Sequence, residues 1–300
     1  MPELPDVEVY AECIATRVVG ETLDRIRIES PFLLRSVEPR AEELEARRVR
    51  GVRRLGKRIV FELESELYAV LHLMIAGRLH WFEHGKQVRK PSLLAAFEFS
   101  NGTLALTEAG SKRRASLHLV RGASGLAPHD RGGAEPLEVD SATFARVLTR
   151  ENHTLKRALC DPRLFSGIGN AYSDEILNRA RLSPLKLTQA MGAEEVERLR
   201  VAVREVLTQW TERLRKEAGA DFPSKVTAFR PGMSVHGRYR EPCLQCGAPV
   251  QRIVYSSNEC NYCARCQTGG KLLADRALSR LLKQDWPKTL EELEDRGRDA

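Results

Sequence analysis

The chain has no uninterrupted apolar run near the ~18–20 residues that a membrane-spanning helix needs, and a transmembrane class is therefore excluded. The N-terminus lacks the basic flank and following apolar stretch of a secretory signal, so the expected location is the cytoplasm, at the nucleoid if the partner is DNA. Cysteine is scarce outside one segment: of seven, only Cys13 and Cys160 lie outside residues 243–266. That distribution argues against a disulfide framework and for metal binding by the crowded cluster. No internal repeat divides the chain, so a repeat architecture is not expected.

What is present points to two lobes. Three hundred residues can form two separate cores. Lys plus Arg exceed Asp plus Glu by 48 to 41, a net charge of +7 that suits a polyanionic partner without requiring one. The placement of the charge says more. Residues 221–271 hold seven basic residues (Lys225, Arg230, Arg238, Arg240, Arg252, Arg265, Lys271) against Asp221, Glu241 and Glu259. Residues 272–300 hold six basic residues against seven acids, so the excess is not a cationic tail.

Along the chain, Pro5 suits a first helical turn, Val7, Tyr10, Ile14 and Val18 recur at helical spacing, and Gly20 ends the run. From Leu23 to Val120 the texture is that of strands, notably residues 58–63, 67–73, 93–99 and 104–106 around the turn Asn101-Gly102. Gly122 to Asp140, rich in Gly, Pro and Ala, reads as a linker between lobes. The period then becomes helical at 141–150, 154–160, 171–180 and 193–217. A further leucine-bearing helix is expected near 271–284, followed by a charged, frayed end.

Three features carry chemistry. Removal of Met1, which a small second residue favours, would leave Pro2 as a secondary amine next to the Glu3 carboxylate. Such an amine can attack an aldehyde-level carbon and form an iminium, an electron sink for covalent catalysis. Its reference pKa lies well below that of lysine, which leaves more free base near neutrality. Cys243, Cys246, Cys263 and Cys266 form two CxxC pairs separated by sixteen residues, a spacing that closes a tetrahedral zinc site across a β-hairpin. Four thiolates leave no open position, so one structural Zn2+ per chain is expected. Finally, the turn Phe165-Ser-Gly-Ile-Gly-Asn170 presents backbone N–H groups ahead of a helix, a ready phosphate site, and Lys57 before a strand could reach phosphate.

These features occur in the order found in one family. With Pro2-Glu3-Leu4-Pro5-Asp6, Lys57, Leu71-His72-Leu73, Gly167-Ile-Gly-Asn170 and the four-cysteine finger, the chain resembles the formamidopyrimidine-DNA glycosylase/endonuclease VIII enzymes over residues 1–267. Leu4 resembles the formamidopyrimidine branch. The resemblance implies an α+β fold in two lobes: an N-terminal β-sandwich with a long N-terminal helix (1–125), a linker (126–140), a helix–two-turn–helix domain (141–220), a loop and zinc-finger hairpin (221–270) and an extension (271–300). It also implies a bifunctional glycosylase and AP lyase acting as a monomer on damaged DNA, duplex or single-stranded. Pro2 would attack C1′ of a flipped nucleotide, Glu3 would supply the proton, and Lys57 would hold phosphate near the sugar. Asn170 and Lys156 would contact the DNA backbone, and the finger, with Asn258 at its arginine position, would enter the minor groove.

The departures from the family pattern are also specific. The methionine that fills the vacated stack in relatives falls on Ile75, with Met74 one place early. The Arg-Phe loop is replaced by residues 107–114, which hold no aromatic, and the finger arginine is Asn258. The loop at 221–233 is shortened and about thirty residues follow the finger. These changes fit a preference for distorted or single-stranded substrates over 8-oxoguanine in duplex. Two other readings remain open at this point, a non-excising protein that binds damaged or branched DNA and a zinc-ribbon RNA-binding protein. Neither gives Pro2 and Glu3 a role.

Overall fold

The computed structural model of the chain describes residues 1–86, 91–110, 112–223, 226, 229–255, 258–274, 281 and 287–298. They form two compact units, Met1–Gly132 with Gln209–Ala228, and Gly133–Thr208 with Phe229–Ala300.

The first unit opens with α1 (Leu4–Val18). Val7, Tyr10, Ile14 and Val18 are all fully buried, so the apolar spacing builds one continuous face that the sheet must cover. The strands are β1 (Thr22–Ile28), β2 (Arg47–Leu55), β3 (Arg58–Leu63), β4 (Leu67–His72), β5 (Gly77–Glu83), β6 (Leu93–Phe99), β7 (Gly102–Glu108) and β8 (Ser116–Arg121), with the short helix α2 (Ala41–Leu44) between β1 and β2. They run in the order β5-β7-β6-β1-β2-β3-β4-β8, every pairing antiparallel. Only Thr22↔Arg48 and Leu23↔Arg47 join the two halves of this order, so it folds into two four-stranded layers. Phe61 of β3 stacks on Phe97 of β6 with ring centroids 5.8 Å apart, which places the core between those layers. Gly102 is required by packing: a Cβ there would lie 2.4 Å from the Trp81 ring. Residues 209–223 pack back on this unit through Tyr10 and Phe222, whose centroids are 5.6 Å apart, and through the Arg215 fork on Glu12 at 2.5 and 2.7 Å. The stretch read as a linker begins with α3 (Gly122–Leu126) and a 3-10 turn (Ala127–His129).

The second unit contains α4 (Ser141–Thr149), α5 (Leu155–Cys160), α6 (Asn170–Arg179) and most of α7 (Ala193–Ala218). Each falls within a residue of its expected position. Asp140 caps α4 by accepting from Thr143 N–H at 2.8 Å. The hairpin β9 (Val250–Tyr255) and β10 (Asn258–Cys263) follows, then α8 (Ala264–Thr268) and α9 (Leu290–Arg298). The charged end expected to fray is thus helical. Leu290 is buried and joins Val250, Ile253, Tyr262 and Leu272 in the hairpin core, with Leu293 packed beside it. This i, i+3 apolar edge is what anchors an otherwise charged helix. Most of the helix expected near 271–284, together with Lys225 and the Asn258 side chain, lies outside the described residues.

Candidate active site

In the first unit, the N-terminal residues are held by α1. Glu3 is the residue preceding the helix, and its backbone N–H donates to the Asp6 carboxylate at 2.9 Å. Pro2 is buried, and Glu3 and Asp6 are 2% and 3% exposed. A carboxylate beside the terminus is therefore built into the fold rather than left in solvent. Burial pushes the Met1 ammonium below its ordinary value, Glu3 and Asp6 oppose this, and Arg78 and Lys57 add to the depression. Lys57 and the N-terminal segment thus lie within electrostatic reach of each other. Lys57 stands in the β2–β3 turn, and Arg54 near the end of β2 is fixed by Glu8 of α1 at 2.6 Å.

Two loops of this unit bear on recognition. The β4–β5 turn is tight: Gly77 N–H donates to the Leu73 carbonyl at 2.9 Å, and a Cβ at Gly77 would lie 2.3 Å from that oxygen. Met74 takes a left-handed φ of +51° and is half-buried, which leaves Ile75 as the projecting side chain, 55% exposed. The β7–β8 loop is closed by the buried Glu108 carboxylate, which accepts from Arg114 and Ala115 N–H at 2.8 and 2.9 Å. Lys112, Arg113 and Arg114 are exposed there.

In the second unit, α5, the turn 161–169 and α6 form a helix–turn–helix in which Gly167 has φ +77°. Asn170 begins α6, and its Nδ2 donates to the Glu259 carbonyl of β10 at 2.9 Å, so the helix start and the hairpin are tied together. The Lys156 ammonium donates to the Asn170 carbonyl and to Asp174 Oδ1, both at 2.6 Å. The four cysteine sulfurs of the finger lie within 4.8 Å of one another, with Cys246–Cys263 at 3.4 Å and Cys243–Cys266 at 4.0 Å. Tetrahedral zinc with sulfur at ~2.3 Å demands separations of about 3.8 Å, so the donor set fits that ion. No sulfur of the chain is in a disulfide. Cys260 is buried on the other side of the hairpin, and burial holds its thiol well above the ordinary range, which makes it inert.

Residues 1–115 match the family model of the formamidopyrimidine-DNA glycosylase N-terminal domain, and residues 133–218 match that of its H2TH domain. The formamidopyrimidine-DNA glycosylase of Symbiobacterium thermophilum is 31% identical over 284 residues, covering 89% of each chain. The chain belongs to the formamidopyrimidine-DNA glycosylase family. A second relative, from Salinispora tropica, is 31% identical and covers 89% of this chain and 96% of its own. Among solved structures, the complex of the Lactococcus lactis Fpg with abasic-site-containing DNA superposes with a TM-score of 0.78 at 24% identity, covering 89% and 99% of the two chains, which shows the shared fold.

Within this family fold, the second unit holds a buried polar network that the sequence reading missed. Asp174 and Asn178 follow Asn170 at i+4 and i+8, so a polar stripe of α6 faces inward. Asp174 Oδ2 meets His236 Nδ1 at 2.8 Å, and Asn178 donates to Gln267 Oε1 at 3.1 Å. Glu175 accepts from the backbone N–H groups of Ser234, Val235 and His236 at 2.7, 2.9 and 2.9 Å. Burial opposes the charge on Lys156, but Asp174, with smaller contributions from Cys160 and Cys260, outweighs it and holds the ammonium above its ordinary range. Lys156 therefore fixes the Asn170 turn. Lys156→Met leaves Asp174 buried without its cation, and the expected cost is about 3 kcal/mol, read in urea unfolding. Lys156→Arg should recover most of it, and an unchanged midpoint in the Met variant would contradict the assignment.

Proposed function

We propose that the chain is a bifunctional DNA glycosylase/AP lyase that uses the Pro2 amine, freed by loss of Met1, as its nucleophile. Membership of the family makes it a DNA glycosylase of base-excision repair; the bond-making steps are argued from its residues. The observation that carries them is the buried Pro2-Glu3 pair beside Asp6, with Arg78 and Lys57 in reach of the terminus. The target nucleotide leaves the stack so that its C1′ can meet the amine. Pro2 nitrogen bonds to C1′, the glycosidic bond breaks, and the base leaves with a proton. The sugar ring opens with protonation of O4′, a step for which Glu3 is the placed acid. The resulting iminium acidifies C2′–H. Loss of that proton breaks the C3′–O3′ bond, a second elimination breaks the C5′–O5′ bond, and hydrolysis frees Pro2. Lys57 of the first unit and Asn170 of the second each hold a backbone phosphate. Zinc in the Cys243/Cys246/Cys263/Cys266 site would keep the hairpin folded and takes no part in the reaction.

The partner is damaged DNA, bound by a monomer in the bacterial cytoplasm. Specificity follows from the projecting side chains. Ile75 is the exposed apolar tip available to enter the vacated stack, a role aliphatic wedges can fill. No aromatic from 107–114 accompanies it. Flipping from an intact duplex costs a few kcal/mol, so substrates whose stacking is already weak should react first.

Borohydride trapping on an abasic-site oligonucleotide tests the reading. A covalent adduct is expected, and a retained Met1 or an N-terminal tag should prevent it. In a side-by-side rate panel, abasic sites and ring-opened purines, and single strands generally, should be cleaved ahead of 8-oxoguanine opposite cytosine. If that duplex substrate is cleaved fastest, Ile75 and its neighbours fill the gap as well as a full wedge does. Binding without any adduct would return the chain to the non-excising reading.

A further inference from the structure

One face of the sandwich unit gathers arginines and histidines. Arg58 of β3 sits directly across from His72 of β4, and His118 of β8 sits across from Val70, so His72 and His118 share a face one step apart. The His129 ring packs on His118 with centroids 4.6 Å apart, and the His129 carbonyl accepts from Arg58 Nη1 at 3.3 Å. Arg35 is placed beside them by its backbone N–H, which donates to the Leu117 carbonyl at 2.9 Å. Arg131 follows His129 by two residues, and both Arg35 and Arg131 are exposed while the histidines are half-buried.

No carboxylate among the described residues offsets this group. Asp130, the nearest in sequence, turns its carboxylate to Gly132 N–H at 2.8 Å. His72, His118, His129 and Arg58 are each shifted by burial and by neighbouring basic groups. His72 is pushed down to about 4 by burial, Arg58, Lys57 and His118. His118 is lowered by burial, Arg58 and Arg35, and His129 by burial, His118 and Arg58. Arg58 itself is lowered by burial and then by Arg131. Arginines that hold the neighbouring imidazoles unprotonated form a site that an anion would complete.

We propose that Arg35, Arg58, His118, His129 and Arg131 form a second phosphate-binding site, adjoining Lys57 and His72, that takes a backbone phosphate of the DNA strand flanking the reacting nucleotide. The site rests on the glycosylase reading for its ligand, but its geometry is independent of the N-terminal chemistry. An arriving phosphate replaces the missing countercharge and draws protons onto the imidazoles. Their free-state values lie below the ordinary ~6.5, and the bound-state values must be higher. Binding therefore takes up protons and tightens as pH falls through the window between the two.

The test uses the full chain and a single-stranded oligonucleotide carrying a tetrahydrofuran abasic analogue, with hydroxyl ends so that only backbone phosphates are offered. Wild-type affinity should rise about fivefold between roughly pH 7.5 and pH 5.5. His118→Ala/His129→Ala should lose most of that rise. The exposed pair Arg35→Ala/Arg131→Ala should flatten the slope of log affinity against log salt by about 0.7, the contribution of one phosphate on a single strand. Unchanged pH and salt slopes in these variants would overturn the site. Borohydride trapping of the same wild-type preparation on a true abasic site separates the two ideas. Absent trapping refutes the amine-catalysed reading, whereas trapping with unchanged slopes refutes only the phosphate site.

Discussion

Glu3→Gln is expected to lower base excision by about 10²–10⁴-fold while leaving AP-lyase activity within about tenfold of wild type. The asymmetry follows from what each substrate demands. An intact damaged nucleoside needs a proton delivered as its glycosidic bond breaks and its ring opens, and in the proposed reaction that proton comes from Glu3, 2% exposed beside Pro2. An abasic site has lost its base and its hemiacetal opens spontaneously to the aldehyde, so the amine condenses without that proton transfer. The amide keeps the shape of the side chain, and the hydrogen bond to Asp6 uses the Glu3 backbone, so α1 should start as before. Rates on a damaged-base duplex and on an abasic oligonucleotide, measured with one preparation, check this. Equal losses on both would mean that Glu3 only supports the fold.

Loss of the metal should be the second large effect. Structural zinc contributes roughly 10–16 kcal/mol to the folding of small finger peptides, so the hairpin is not expected to keep its form without the ion. The consequence extends beyond the finger. The hairpin core includes Leu272 and Leu290 of the C-terminal extension, and the Asn170 amide is anchored on the Glu259 carbonyl of β10. Cys243→Ser or Cys266→Ser should therefore lose zinc binding and weaken DNA binding by more than about tenfold. Metal analysis by mass spectrometry paired with a DNA titration reads both quantities. Full DNA affinity in metal-free protein would remove the claim.

The local elements were legible because their signals are local. Val7, Tyr10, Ile14 and Val18 give α1 its buried face, Asn101-Gly102 turns β6 into β7, and the paired CxxC spacing converges on one tetrahedral set. The network around α6 was not legible. Lys156, Asp174 and His236 are scattered over eighty residues, and single polar residues at helical spacing ordinarily mark a solvated face. The packing of α5, the 234–236 segment, β10 and α8 against α6 turns that face inward. The charged end of the chain was misread for a related reason. Its composition is that of a frayed tail, and the two leucines that dock α9 on the hairpin are visible only once the hairpin core is formed. The histidine cluster depends likewise on strand register, which sets His72 and His118 on one face.

The most direct test of the central claim is to locate the covalent bond. Protein trapped with borohydride on an abasic oligonucleotide is digested with nuclease and protease, and the sugar remnant is placed by tandem mass spectrometry. The account predicts the remnant on the nitrogen of Pro2 at the head of a peptide from which Met1 has been lost. A remnant on Lys57, or on any other lysine, would contradict it, because the nucleophile would then be a side chain and the buried Pro2-Glu3 pair would have no chemical role.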